Sequence, residues 1–342
     1  GTPLTAPGRA GGAGAPGPSA SGDRVVALDA LRGIAVAGIA LMNVYIFALP
    51  PAAYFNPAVA GSDGPLDWMV WALSFVFVED KFRSLFAMLF GAGVAILMER
   101  ARARGAAHPV REHVARMVVL FAIGAAHAIL LANNDVLRLY AMAGLVLPVF
   151  LALNGRWLFI AGAMLMAMHV VGGSLLAFLW LTAEPGSTLA LLPAQTFGAD
   201  PLALDYARII GTEDFAARVV RRTMGFFAAL QTQVPGIPST LAMMLVGAGL
   251  WRAGLLRGAW RRSRCFALAG RMALVALPPL VAMMVLDVQA GFAGAMVGPV
   301  ALFWSLPFDL LLAVGYAALV MGLFAGREGA LRGRLAAAGR LS

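Results

Sequence analysis

Long apolar runs are the feature that most restricts the fold of this 342-residue chain. Hydrophobic side chains make up 61% of the sequence and charged ones only 13%. The runs are about as long as a membrane-spanning helix and do not alternate as a half-buried strand does. The sequence therefore predicts an all-α fold, a polytopic helical membrane bundle of about 8–10 transmembrane helices with the lipid bilayer as its first partner.

Hydropathy predicts spans at residues 26–49, 66–98, 114–132, 136–153, 157–181, 236–255, 266–286 and 305–325. The run 66–98 is too long to cross a bilayer straight, so we expect a tilted or broken helix; two half-spans meeting at EDKFR are the alternative. Segment 287–304 is broken by Gly and Pro, which favours an interfacial or re-entrant piece. In loop 182–224, the amphipathic LDYARIIGTEDFAARVVRR is expected to lie on the outer membrane surface.

The distribution of basic residues predicts how the chain is oriented across the membrane. The basic loops 99–116, 251–264 and 326–340 are expected to be cytoplasmic, which puts the N-terminus inside. The frequent use of Arg and Ala is typical of a GC-rich bacterium, so we expect the chain to lie in a bacterial inner membrane. Residues 1–24 are Gly/Ala/Pro-rich and predict a disordered tail before a single transmembrane domain, 25–342.

Several classes of partner are not indicated. The net charge of +9 comes without an aromatic-interleaved basic patch, so no nucleic-acid partner is predicted. The single cysteine, Cys265, excludes an internal disulfide framework, and zinc-ligand spacing is absent from the sequence, so no metal is predicted. A homo-oligomer remains open.

The first apolar run carries a polar stripe of Asp29, Arg32 and Asn43. Arg32 and Asn43 are eleven residues apart, which returns to nearly the same helix face about 16 Å along the axis. Charged groups in a bilayer core are costly, which favours a function for the stripe; a snorkelling anchor with an inter-helix hydrogen bond is the alternative.

The same spacing separates Arg116 from His127 in RMVVLFAIGAAH. An intramembrane histidine is a candidate proton acceptor near pH 7. A histidine that only hydrogen-bonds a neighbouring helix is the alternative. Asp135, in the following NNDVLRLYA, is positioned to orient His127 or to bind substrate at the outer mouth, and Gln233 marks the outer end of another span.

EDKFRSLF places Glu79, Asp80, Lys81 and Arg83 within an apolar run, and Lys81 is the only lysine in the chain. They either pair among themselves structurally or meet an anionic ligand such as CoA phosphates.

In the following FGAG, Gly91 and Gly93 predict close helix packing. Asp309, after Pro307, is expected to close a cavity or cap a kink.

Taken together, LDALRGIAVAGIALMNV, LPPAAYFNP, KFRSLFAMLFGAG, GAAHAILLANNDVLRLYAMAGL and LAMMLVGAGLWRAGLL resemble the bacterial YeiB family, which looks related to the transmembrane acyltransferase superfamily. In glycan O-acyltransferases of that superfamily, an arginine followed eleven positions later by histidine binds and activates an acyl-CoA. Here Arg32 matches the arginine, but Asn43 stands where the histidine is expected. The family also continues with further helices after the equivalent of Ser342.

The resemblance implies an acyltransferase that moves an acyl group from cytoplasmic acyl-CoA, with acetyl-CoA expected, to a glycan, lipid or small-molecule acceptor. His127, Asp135 and Asn43 would form the catalytic group. A membrane transporter or exporter and a non-catalytic cell-envelope scaffold are the alternatives. CoA is expected to bind through Arg32, Lys81, Arg83 and Arg116, and substrate through Asp29, Glu79, Asp80, Tyr140 and Gln233.

Overall fold

The computed structural model describes residues 18–60, 64–132 and 135–325, and within these ranges the chain forms α-helices and no strand. The helices are α1 Pro18–Ala48, α2 Pro65–Phe77, α3 Lys81–Ala103, α4 Pro109–Leu130, α5 Leu137–Phe150, α6 Gly155–Thr182, α7 Thr188–Phe197, α8 Pro201–Gly211, α9 Phe215–Met224, α10 Phe226–Gln233, α11 Ile237–Arg252, α12 Arg262–Gln289, α13 Gly294–Pro299 and α14 Leu306–Phe324. Short 3-10 turns cover Pro51–Tyr54, Pro57–Ala60 and Val234–Gly236, and a π-helix at Val300–Trp304 joins α13 to α14.

Seven stretches of the described chain are long and apolar enough to cross a membrane, which confirms an all-α, multi-pass membrane protein. The predicted span 136–153 is the 14-residue helix α5, only about 21 Å long at 1.5 Å per residue. Segment 287–304 contains the short α13 and the π-helix, neither long enough to span. α1 begins at Pro18, within the predicted tail, whereas residues 1–17 and the basic segment 326–340 lie outside the described residues.

The long run 66–98 is broken where its charges are. α2 ends at Phe77 and α3 begins at Lys81, and between them Asp80 adopts a left-handed backbone conformation with φ of 55°. A non-glycine residue with positive φ is uncommon and strained, so the turn needs support from its surroundings. Of the tilted and broken forms expected for 66–98, the structure has the broken one, and its break lies at EDKFR.

The centre of the bundle is the contact between α3 and α11, and small residues allow it. A Cβ on Gly91 would lie 2.0 Å from the carbonyl oxygen of Met244, and one on Gly247 would lie 1.9 Å from that of Met88. The backbones therefore approach too closely for any side chain. Gly93 differs, because a Cβ there would meet nothing within 4 Å. The prediction of close packing thus holds for Gly91 and is wrong for Gly93.

We predict that Gly91→Ala lowers the free energy of unfolding by about 1–3 kcal/mol, because the added methyl group overlaps the backbone of α11. Gly93→Ala, two residues along the same helix, is the matched control and is expected to be neutral. Thermal unfolding of the detergent-purified protein, followed by fluorescence-detected gel filtration, compares them. Equal melting temperatures for the two variants would contradict the close contact.

Candidate functional site

A cleft of about 360 Å³ opens between α1, α3 and α4. Its floor is apolar and comes mostly from α3, and its mouth carries positive charge from α1 and α4. Two of the arginines predicted to bind CoA meet there. The lining residues are Arg32, Val36, Phe86, Leu89, Phe90, Gly93, Val94, Leu97, His113, Arg116 and Met117. We call this space the two-arginine cleft.

Both arginines at the mouth are half exposed and only loosely held. Arg32 lies 3.0 Å from Asp29 with 49% of its side chain exposed, and Arg116 lies 4.0 Å from Glu112 with 50% exposed. Exposed ion pairs of this kind contribute about 0–1 kcal/mol, so either guanidinium can turn to a ligand at little cost. His113 is different, because it is buried and its Nε2 lies 2.8 Å from the carbonyl oxygen of Gly144.

The helices on either side of the two-arginine cleft run in the same direction from its mouth. Arg32 and Arg116 stand near the mouth on α1 and α4, and each is followed eleven residues later by a second polar residue, Asn43 or His127. Along a helix this spacing is about 16 Å. Asn43 is half buried and has no side-chain hydrogen-bond partner in the described part of the chain. Asn43 and His127 do not line the cleft; they lie about three helical turns beyond its arginines on α1 and α4.

At the far end of α4, His127 meets Asp135. His127 Nδ1 lies 3.4 Å from Asp135 Oδ1, and 38% of the histidine side chain is exposed while the carboxylate is buried. The distance is that of an ion-pair contact and is longer than a good hydrogen bond. The sequence prediction that Asp135 orients His127 agrees with this placement, which leaves Nε2 as the nitrogen free to exchange a proton.

Asp135 is itself firmly positioned. Its Oδ2 accepts hydrogen bonds from the backbone N–H of Arg138 at 2.9 Å and from Arg138 Nε at 3.2 Å. Gln233 Nε2 donates to the Asp135 carbonyl oxygen at 2.8 Å, which brings the predicted Gln233 to the same place. The Arg138 guanidinium lies 5.4 Å from the Phe226 ring. We call His127, Asp135, Arg138 and Gln233 the histidine cluster.

The remaining predicted charges pair inside the bundle. Lys81 is 1% exposed, its Nζ lies 2.6 Å from Asp309 Oδ1, and it also donates to the Phe75 carbonyl oxygen at the end of α2. Arg83 pairs with Asp80 across the break. The expectation that Lys81 and Arg83 hold CoA phosphates is not met by this geometry, since neither lines the two-arginine cleft. Structural pairing, the alternative reading of EDKFR, fits it.

Two other predicted substrate ligands also lie within the bundle. Glu79 is buried at the break, where burial and the charges of Asp80 and Glu79 raise the pKa of the nearby Tyr54 phenol above its ordinary value. Tyr140 is buried behind the cleft, its ring 5.8 and 5.6 Å from Phe86 and Phe90, and its hydroxyl donates to the Arg83 carbonyl oxygen at 3.0 Å. Tyr140 therefore packs behind two residues that line the cleft, whereas Glu79 lies at the break between α2 and α3.

Sequence reasoning missed several polar groups. Arg138 is fully buried in the histidine cluster and follows Asp135 by one helical turn. A charged residue within the apolar run LRLYAMAGL was a signal in the sequence that could have identified it. His169 lies between the Pro235 and Leu302 carbonyl oxygens, with ring nitrogens 3.1 and 3.0 Å away. No local pattern indicated His113 or His169, because their partners come from distant helices.

Removing one member of the buried Lys81–Asp309 pair is predicted to be more harmful than removing both. Lys81→Met or Asp309→Leu alone leaves an uncompensated buried charge, and each should destabilise the protein by about 3–5 kcal/mol. The double variant should recover most of this loss. A double-mutant cycle on melting temperature measures the coupling; additive single effects would show that the two charges do not interact.

Comparison with known proteins gives similarity to bacterial proteins of undescribed activity. The chain is 34% identical over 239 residues to the uncharacterized protein YeiB of Escherichia coli K12, which covers 69% of this chain and 58% of YeiB. It is 32% identical over 140 residues to the uncharacterized YxaH of Bacillus subtilis 168, covering 39% of this chain and 34% of YxaH. It is also 32% identical over 133 residues to an uncharacterized 39.9 kDa protein of Bacillus acidopullulyticus, covering 39% and 36%.

The chain spans less than two thirds of the length of each of these relatives. No protein-family model matches it, and no solved structure matches it. The resemblance to YeiB seen in the motifs is confirmed, and the chain is a multi-pass membrane protein similar to YeiB over most of its own length.

Proposed function

We propose that this protein is a YeiB-family acyltransferase within the transmembrane acyltransferase superfamily, located in a bacterial inner membrane with its N-terminus in the cytoplasm. The two-arginine cleft is the observation that carries the proposal. A basic mouth above an apolar floor suits an amphiphilic ligand with phosphates at one end and an acyl group at the other. Acyl-CoA has this chemistry.

Each part of the donor has a partner in this scheme. Arg32 and Arg116 bind the CoA phosphates, because their guanidinium groups are half exposed and not consumed by strong ion pairs. Phe86, Phe90 and Val94 contact the arm that carries the thioester. The arm has to run along α1 and α4, about 16 Å, to bring the acyl carbon to the level of Asn43 and His127.

The transfer itself breaks the thioester C–S bond and forms a bond from the acyl carbon to an acceptor oxygen or nitrogen. His127 Nε2 takes the acceptor's proton, while Asp135 beside Nδ1 stabilises the imidazolium that forms. The CoA sulfur leaves as a thiolate and is protonated afterwards. The Asn43 amide donates a hydrogen bond to the acyl oxygen as its charge grows, a role that an asparagine can fill although it cannot accept a proton at neutral pH.

Acetyl-CoA binding by calorimetry on the purified protein tests the donor site. Arg32→Ala and Arg116→Gln should each weaken binding about tenfold, the loss expected for one charge-assisted contact. Gly93→Leu should abolish binding by filling the floor of the cleft. Arg102→Gln is the matched control, because Arg102 is exposed, lies in the last turn of α3 and does not line the cleft. Unchanged affinity in all three cleft variants, with folding intact, would contradict the donor site.

His127→Ala should keep acetyl-CoA binding and lose turnover by about 10²–10⁴-fold, because the acceptor proton has no base to receive it. Asp135→Asn should likewise keep acetyl-CoA binding and lose turnover, but by a smaller factor. Acyl transfer from radiolabelled acetyl-CoA to membrane extracts measures this. If His127→Ala transfers acyl groups at the normal rate, the assigned base is wrong.

A transporter is the second candidate, favoured by the broken α2–α3 pair with buried charges beside a π-helix. Flux through proteoliposomes that requires no acyl-CoA would favour it over the acyltransferase. Acyl-CoA binding that depends on Arg32 would favour the acyltransferase. A scaffold is distinguished from both by tolerance of His127→Ala in the cell.

A further inference from the structure

Helix α9 is amphipathic in an unusual orientation. Its arginines Arg218, Arg221 and Arg222 are half buried against the protein, whereas Phe215 and Met224 are 65% and 82% exposed. A helix on the surface of a soluble protein would have the opposite arrangement. In a membrane protein the exposed apolar face of such a helix contacts lipid. Its basic face then lies against the rest of the protein.

The inward charge of α9 is aimed at the end of α4. Arg222 Nη1 donates to the Ile129 carbonyl oxygen at 3.5 Å, two residues after His127. The next helix, α10, brings the Phe226 ring beneath Arg138 and ends at Gln233, which bonds Asp135. The arginines of α9 and the histidine cluster therefore share one region of the molecule.

Among the described residues, the arginines of α9 carry more positive charge than Glu213, the carboxylate that pairs with them, can balance. Glu213 accepts hydrogen bonds from Arg221 Nε at 2.8 and 3.0 Å, and its carbonyl oxygen accepts one from Arg218 Nη2 at 2.7 Å. Arg222 has no carboxylate partner among the described residues. Burial, followed by the charges of Arg218 and Arg221, lowers the pKa of Arg222 from its ordinary value. An anion beside Arg222 would relieve this repulsion.

Buried polar atoms without partners point the same way. Within the described ranges, Arg218 Nε and Gln233 Oε1 are buried and make no hydrogen bond, and His127 Nδ1 has only its 3.4 Å contact with Asp135. Such atoms are costly unless a ligand or water completes them. A donor on Arg218, a guanidinium on Arg222 that has no carboxylate partner among the described residues and an acceptor on Gln233 suit a phosphate ester with a nearby hydroxyl.

We propose that Arg218 and Arg222 bind the phosphate of a phosphate-bearing lipid beside His127. A lipid is favoured over a soluble phosphate because α9 and α10 expose large apolar side chains to the membrane, against which acyl or prenyl chains pack. These are Phe215, Met224 and Phe227. That this lipid is the acceptor of the acyl group rests on the proposed function, whereas its binding does not.

Calorimetry on the full-length protein in dodecyl maltoside, a detergent that carries no phosphate, with protein-free micelles subtracted, tests the site. Dioctanoyl phosphatidic acid is the probe, dioctanoylglycerol is the same lipid without phosphate, and inorganic phosphate is the group without tails. We expect saturable binding of phosphatidic acid alone. Equal binding of dioctanoylglycerol overturns the phosphate site, and equal binding of inorganic phosphate overturns the assignment to lipid.

Substitution then locates the site. Arg218→Gln and Arg222→Gln should each weaken phosphatidic acid binding about tenfold. Arg208→Gln is the matched control, because Arg208 lies on α8, is 77% exposed and pairs with the exposed Asp205. It should change the affinity less than about twofold. Melting temperatures confirm that each variant is folded. Equal effects of all three substitutions, or no effect of any, would overturn the proposal.

The two proposals fail separately. If acetyl-CoA does not bind but phosphatidic acid binding depends on Arg218 and Arg222, the acyltransferase is refuted and the lipid site remains. If acetyl-CoA binds through Arg32 and phosphatidic acid does not bind, the lipid site is refuted and the donor site remains.

Discussion

The buried pair of Lys81 with Asp309 holds the parts of this molecule in register. Lys81 begins α3, its ammonium reaches the last turn of α2 through the Phe75 carbonyl oxygen, and its charge is balanced by α14. A lone charge at this depth would cost several kcal/mol, so the three helices are stable only together. The pair lies at the first residue of α3, the helix whose Gly91 meets α11 and whose side chains form the floor of the two-arginine cleft.

The two-arginine cleft and the histidine cluster lie at opposite ends of α4. One end of α4 carries Arg116 at an open, basic mouth, and the other carries His127 beside Asp135 and the arginines of α9. α1 runs alongside with Arg32 and Asn43 at the same spacing. A basic cleft at one end of α4 and a second group of arginines at the other suit the proposed reaction, whose partners would arrive from opposite sides of a membrane. This arrangement unites the proposed acyl donor and the proposed lipid acceptor in one path.

The sequence predicted the features that depend on local pattern. Apolar runs indicated the helices, the charges of EDKFR indicated the break before Lys81, and the histidine followed by NNDVLRLYA indicated the His127–Asp135 contact. Features set by packing between distant helices were not predictable. Gly91 and Gly93 look alike in the sequence, and only the register of α3 against α11 makes one a close contact and the other part of a cleft floor. Likewise, the pattern of α9 shows that it is amphipathic but not that its basic face turns inward.

The central claim is that an acyl donor lies in the two-arginine cleft. Photo-crosslinking tests it most directly, with an acyl-CoA analogue that carries a diazirine on the arm bearing the thioester and with peptide mapping of the labelled full-length protein. The account predicts labelling of α1, α3 and α4 on the cleft side, between Phe86 and Leu97 on α3, that excess unlabelled acyl-CoA removes. Labelling confined to the lipid-facing side of α6 or α12, or labelling that unlabelled acyl-CoA leaves unchanged, would contradict it.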